Sequence, residues 1–340
     1  MTNLKSLLYL LWSSLLLSDS NPINTAPNNE LEKIILRERL KERAEEYNRS
    51  YENGIRARII NLISSEGKFE EYIKNNLVSL DEMCSELLSS KVVIFSDVEF
   101  SSKQKEHYKK ILLKMGEKKI IAGIELFCDD VNGEIKKYIH KKITEDEFYR
   151  NIGYEQIIKE YERFGYRDLM RFLRKEDIET VGINKPFDKK IIEFLKKMSK
   201  EGKKPPYEPP EGFALEEIDN IGCDYYERDK YASKIAGEFT KNSDKTFVMI
   251  IGAIHGDKEH IPKMLKESYG LETRVVEWNL SGVRIDNENL TINNSIYERL
   301  KRCGLDDNNA LRVREDFVIN FSWNPKETDD YKRTFLERYD

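Results

Sequence analysis

Five short apolar runs punctuate the middle of this chain, and a longer charged stretch with helical spacing follows each of the first four. The runs are Lys91–Phe95, Lys119–Phe127, Glu179–Ile183, Thr246–Ile251 and Thr273–Trp278. They are rich in Val, Ile and Phe with little polar alternation, the pattern of strands buried on both faces. The intervening stretches 101–115, 135–161, 166–175, 187–200, 225–241 and 262–269 read as helices. Strands that alternate with helices predict an α/β chain with three layers, a mainly parallel β-sheet flanked by helices on both faces. The runs at 91–95, 120–125, 180–183 and 246–251 are expected to pair in one sheet.

The flanks read differently. Residues 1–28 form an apolar, targeting-like segment and a polar linker. Residues 29–90 read as a helical N-terminal extension, with Leu31, Ile34, Ile35 and Leu40 at near-helical spacing. The α/β domain spans 91–282. Residues 283–340 read as a C-terminal tail packing on the core, with one or two edge strands. Four of the nine prolines, Pro205, Pro206, Pro209 and Pro210, fall in one stretch and predict a loop there. Leu7–Leu17 is a continuous apolar run after Lys5. It is too short to span a bilayer and matches the apolar core of a secretory signal. Export or membrane association through this segment is therefore favoured over a cytoplasmic location; the alternative is an apolar helix packed on the domain. A chain starting near Asn29 is expected to keep its stability.

Charge narrows the partners. The 57 basic and 62 acidic residues are interspersed and leave a net charge of −5, so nucleic acid is not an expected partner. Cys84, Cys128, Cys223 and Cys303 lie too far apart for a zinc-knuckle spacing, and buried or free thiols are the plain reading.

In an open α/β sheet, ligands bind beyond the carboxyl ends of the strands. Asp97 and Glu99 follow the first run and are two residues apart, so a continuing strand puts both on one face. Glu125 lies inside the second run, where a carboxylate must be paired or functional because burying it alone is costly. A structural ion pair with Arg228 is the sober alternative. Asn184 ends the third run, and His255 follows the fourth before Gly256. Asp97, Glu99, Glu125 and His255 are a candidate oxygen-rich metal set, better suited to Mn²⁺ than to structural zinc. Glu125 and His255 are the candidate catalytic pair, expected to converge, with Asp97 bordering the same crevice. Changing both Glu125 and His255 to alanine is expected to abolish binding and spare the fold.

The order of these pieces resembles the ChaN-like, haem-binding uptake proteins of the Tiki/erythromycin-esterase superfamily. The resemblance is carried by Gly123–Phe127, by the Tyr-x-x-Leu-x-x-Phe pattern at Tyr166–Phe172, and by Val181–Pro186 with its Asn-x-Pro end. Arg228–Asp229 at a helix start, Gly252–His255 and the downstream Pro262 complete it. The first motif departs: the family's Gly-Glu-x-His reads Ser96, Asp97, Val98, Glu99 here. The resemblance implies a haem or divalent-metal cofactor and a ligand site including Asp97, Glu99, Asn184, Arg228 and Asp229. Tyr225 or Tyr226 is a candidate axial donor, against simple aromatic packing. It also implies a small-molecule or haem ligand as partner, with a homodimer as a further expectation. Three functions follow: a ChaN-like binder of haem or another iron-bearing ligand, a metal-dependent hydrolase of the Tiki/erythromycin-esterase type, or a degenerate, non-catalytic scaffold.

Overall fold

The computed structural model describes residues 69–97, 101–152, 164–186, 225–278, 283–286, 289–292 and 295–320. The apolar runs become β2 (Val92–Asp97), β3 (Ile120–Cys128), β4 (Thr180–Asn184), β5 (Thr246–Gly252) and β6 (Thr273–Trp278). All five are parallel neighbours in one eight-stranded sheet ordered β1-β9-β10-β6-β2-β5-β3-β4. The remaining members are β1 (Leu77–Ser79), β9 (Asn309–Val313) and β10 (Asp316–Ile319). β10 runs parallel to β6, whereas β9 is antiparallel to both of its neighbours. A separate hairpin pairs β7 (Val283–Asp286) with β8 (Asn289–Ile292).

The C-terminal stretch therefore does more than border the sheet. β10 lies inside it, buried at every position. Its Asp-Phe-Val-Ile run is too short to stand out among charged neighbours. The N-terminal side is likewise built in. Helices α1 (Phe69–Asn76) and α2 (Leu80–Leu87) flank β1, and their Ile73, Met83 and Leu87 join the core. The targeting-like run Leu7–Leu17, the linker and most of the expected extension lie outside the described residues. So do the expected helix at 187–200 and the proline-rich loop. Among the described residues, no helix is long and apolar enough to cross a membrane.

Successive strand residues alternate between two helical layers, as a period of two requires. Val93 and Phe95 of β2 enter the first layer, and Val92 and Ile94 the second. The first layer holds α2, α3 (Ser102–Met115), α4 (Asn132–Ile139), α5 (Glu145–Asn151) and α6 (Tyr166–Lys175). The second holds α1, α7 (Tyr225–Lys241), α8 (Ile261–Tyr269) and α9 (Ser295–Arg302). All four of these β2 side chains are fully buried, each contributing roughly 1.5–3 kcal/mol of transfer free energy.

Chain direction explains the layers. From β2 to β3 to β4 the chain steps one way across the sheet through first-layer helices. From β4 to β5 to β6 it steps back through α7 and α8 on the other side. Right-handed crossovers demand that change of face when direction reverses. The exits of β2 and β3 thus turn to one layer, while that of β5, between them, turns to the other. A crevice opens where such exits diverge.

One irregularity sits beside it. Between Ile124 and Cys128 the pairing of β3 with β4 slips, a bulge that lets β3 carry on past Glu125. The bulged backbone crosses close over Gly182, where a Cβ would stand 2.4 Å from the Cys128 carbonyl oxygen.

Candidate functional site

Glu125 lies on the second-layer side of β3, the alternate of Ile124, which enters the first layer. Its carboxylate meets three donors. The Arg228 Nη2 of α7 donates to Oε1, the Gly252 amide at the end of β5 donates to Oε2 at 2.6 Å, and His255 Nε2 stands 3.4 Å from Oε1. Arg228 Nε also donates to Asn184 Oδ1 at 3.3 Å, tying in the end of β4. His255 lies in the 3₁₀ turn Ala253–Gly256 that leaves β5. Gly256 lets that turn lie against β2, since a Cβ there would come within 2.9 Å of Ser96 Oγ.

Behind the histidine stands Asp229, the next residue of α7 after Arg228. It is fully buried. Its Oδ1 accepts from His255 Nδ1, and its Oδ2 accepts from His260 Nδ1 at 2.8 Å. The result is a connected row: Asn184, Arg228, Glu125, His255, Asp229, His260.

Electrostatics follow from that row. Burial opposes charge on His255, but Asp229 and Glu125 outweigh it and push the imidazole up to about 9. Burial likewise opposes ionisation of Glu125, and Arg228 and His255 overcome it, bringing the carboxyl down to about 2. For Asp229, burial is again the largest influence, and the two histidines reverse it and lower the pKa. At neutral pH the centre is an alternating set of charges that neutralises itself, with a protonated His255.

The structure thus brings Glu125, His255, Asn184, Arg228 and Asp229 together. Asp97 is elsewhere. It alternates with Val93 and Phe95 into the first layer, on the opposite side of the sheet. There its Oδ1 accepts from Lys105 Nζ at 2.7 Å and from the Tyr108 hydroxyl at 3.0 Å, and its Oδ2 accepts from the Tyr166 hydroxyl. Lys105 is completely buried in this pair, its ammonium 4.3 Å from the Tyr166 ring centre. Asp97 is committed to holding α3 and α6 on the sheet, and the expectation that it borders the Glu125 crevice is corrected. Glu99 and the side chains of Tyr225 and Tyr226 lie outside the described residues.

That split also corrects the metal set. Among the described residues no three His, Cys, Asp or Glu side chains are arranged to hold a metal ion. Asp97 and Glu125 face opposite layers, and His255 carries a proton with both nitrogens engaged. Sequence reasoning missed His260. The signal was available: a second histidine five residues after His255, in the same strand exit and directly before Ile261-Pro262.

The fold and this centre define a doubly wound α/β protein with a buried charge row at the diverging strand ends. More particularly, residues 83–210 match the family model described as haem-binding uptake, Tiki superfamily, ChaN, a similarity that covers little more than a third of the chain. Among solved structures, one described as cofacial haem binding to ChaN of Campylobacter jejuni aligns at 14% identity, covering 62% of this chain and 88% of that one, with a TM-score of 0.43. The type III effector HopBA1 aligns at 13% identity over 61% and 87%, TM-score 0.38. A structure described as bacterial protein toxins aligns at 16% over 84% and 55%, TM-score 0.36. No curated protein matches the chain.

Proposed function

We propose that this chain is a ChaN-like ligand-binding protein that takes haem, or another iron-bearing ligand, at the crevice beyond β3, β4 and β5. The observation that carries the reading is the family match over residues 83–210, which contains Glu125 and Asn184. The chemistry of the centre supports binding over hydrolysis. A hydrolytic role would ask His255 to accept a proton, and between two carboxylates it already holds one up to about 9. Haem asks for a different donor set from a bare ion, because the macrocycle supplies four ligands and the protein need add only an axial one. The described residues fit that lesser demand through His260, whose ring is a fifth exposed at the rim of the buried row. Export or membrane association through Leu7–Leu17 belongs to the same proposal.

Titrating ferric haem into the full chain tests the reading. A saturable shift of the Soret band at one haem per chain or per chain pair is expected. A spectrum that stays that of free haem plus protein throughout the titration sinks the proposal. Fractionation of producing cells tests the location separately: recovery of the whole pool in the soluble cytoplasmic fraction overturns that part.

A further inference from the structure

We propose that His260 is the axial donor to the metal of a planar tetrapyrrole, and that Asp229 is the positioning residue that holds its imidazole in the donor tautomer. The inference rests on the haem-binding reading and names the residue that meets the iron.

Three observations converge on His260. Its Nδ1 is 2.8 Å from Asp229 Oδ2. A carboxylate can only accept, so in the neutral imidazole the proton sits on Nδ1 and the lone pair is left on Nε2. A metal-bound histidine is ordinarily supported this way, with a carboxylate fixing ring and tautomer from behind. Second, the two members differ in access: Asp229 is wholly buried, whereas the His260 side chain keeps 21% of its surface. Its Nε2 has no partner among the described residues. Third, the backbone is pinned. The His260 amide donates to the Asp257 carbonyl at 3.0 Å, and its own carbonyl accepts from Met264 at 3.1 Å. Ile261 and Pro262, next in the chain, are buried.

Among the described residues, the other donors nearby are engaged. His255 has Asp229 on one nitrogen and Glu125 on the other. The Tyr231 hydroxyl donates to Asp129, and the Cys128 thiol donates to the Lys185 carbonyl. One imidazole alone is too little to chelate a free divalent ion. It is sufficient for a metal that arrives with its equatorial ligands in place, which selects a metallo-tetrapyrrole over a bare cation.

The test uses the full chain, ferric haem, and metal-free protoporphyrin as a comparator. Resonance Raman of the ferrous wild-type complex is expected to show an iron–histidine stretch, a readout that needs no variant. His260→Ala is expected to lose that band, weaken haem about tenfold or more, and regain the band when free imidazole is added. Asp229→Asn is expected to shift the band to lower frequency, because the amide donates less electron density to the ring. Metal-free protoporphyrin is expected to bind more weakly than haem and to ignore the His260 change. Haem bound by wild type without an iron–histidine band, or an unchanged band in His260→Ala, overturns the assignment while leaving the broader reading standing. Wild-type protein that takes up no haem overturns both.

Discussion

Glu125 keeps its charge in a nearly dry place because Arg228, His255 and the Gly252 amide all aim at it. This dependence has a pH signature. His255 is raised from its ordinary 6.5 to about 9. Its stabilising contribution is complete below 6.5 and is lost as pH rises through 9. Glu125 is lowered from 4.5 to about 2, so its contribution is complete above 4.5 and is lost as pH falls through 2. The urea midpoint should therefore be highest between about pH 4.5 and 6.5 and should fall towards pH 9.5. In His255→Gln the alkaline fall should flatten; an equally steep fall in that variant would trace it to other groups. The same geometry changes the outcome for the paired substitution of Glu125 and His255 by alanine. That variant removes Glu125 from Arg228 and His255 from Asp229, leaving the part-buried Arg228 with Asn184 and the fully buried Asp229 with His260, so both charges are poorly compensated. It should lose about 3–5 kcal/mol or more, and a melting curve like wild type's would show that the row is not a stabilising network.

At the scale of elements, the bulge in β3 and the glycine beneath it act as one device. The slip between Ile124 and Cys128 lets β3 pass Glu125 and still finish beside β4. The price is a backbone crossing with no room for a side chain: a Cβ at Gly182 would meet the Phe127 carbonyl oxygen at 2.6 Å as well as that of Cys128. Gly182→Ala should destabilise by about 1–3 kcal/mol through overpacking. It should also displace Asn184 from Arg228, two residues along the same strand. An unchanged melting temperature would mean that the crossing relaxes freely. On the other face, Asp97 with Lys105, Tyr108 and Tyr166 fastens α3 and α6 to the end of β2.

At the scale of the described molecule, the sheet is completed by strands from either side of the central unit. β1, from before the central unit, pairs with β9, from near the end, and β10 covers β6. Phe317, Val318 and Ile319 lie beside Val276, Glu277 and Trp278. A chain ending at residue 304 loses β9 and β10 and bares the β6 edge with its apolar side chains. It should be insoluble or lack a cooperative transition, while a chain starting near Asn29 should melt within a few degrees of the full protein. A soluble, cooperatively folding chain to 304 would show that the C-terminal strands are an accessory.

The central strands were legible in the chain's local composition. The runs at 91–95, 120–125, 180–183 and 246–251 announce parallel, doubly buried strands through local composition, and they pair in one sheet. The sequence also placed Glu125 beside His255, because strand ends of one parallel sheet share an edge. Asn184 was legible as the end of the third run and Arg228 as a possible ion-pair partner of Glu125, and the family spacing added Asp229. Which side of the sheet each polar residue faces emerged from the folded arrangement alone. Neighbouring strand positions point opposite ways, so Asp97 and Glu125 end at one edge yet in different layers. His260 enters the site through Asp229, 31 residues earlier in the chain. β10 joins the sheet through pairing with β6, and such long-range partnerships leave no periodic mark on the sequence.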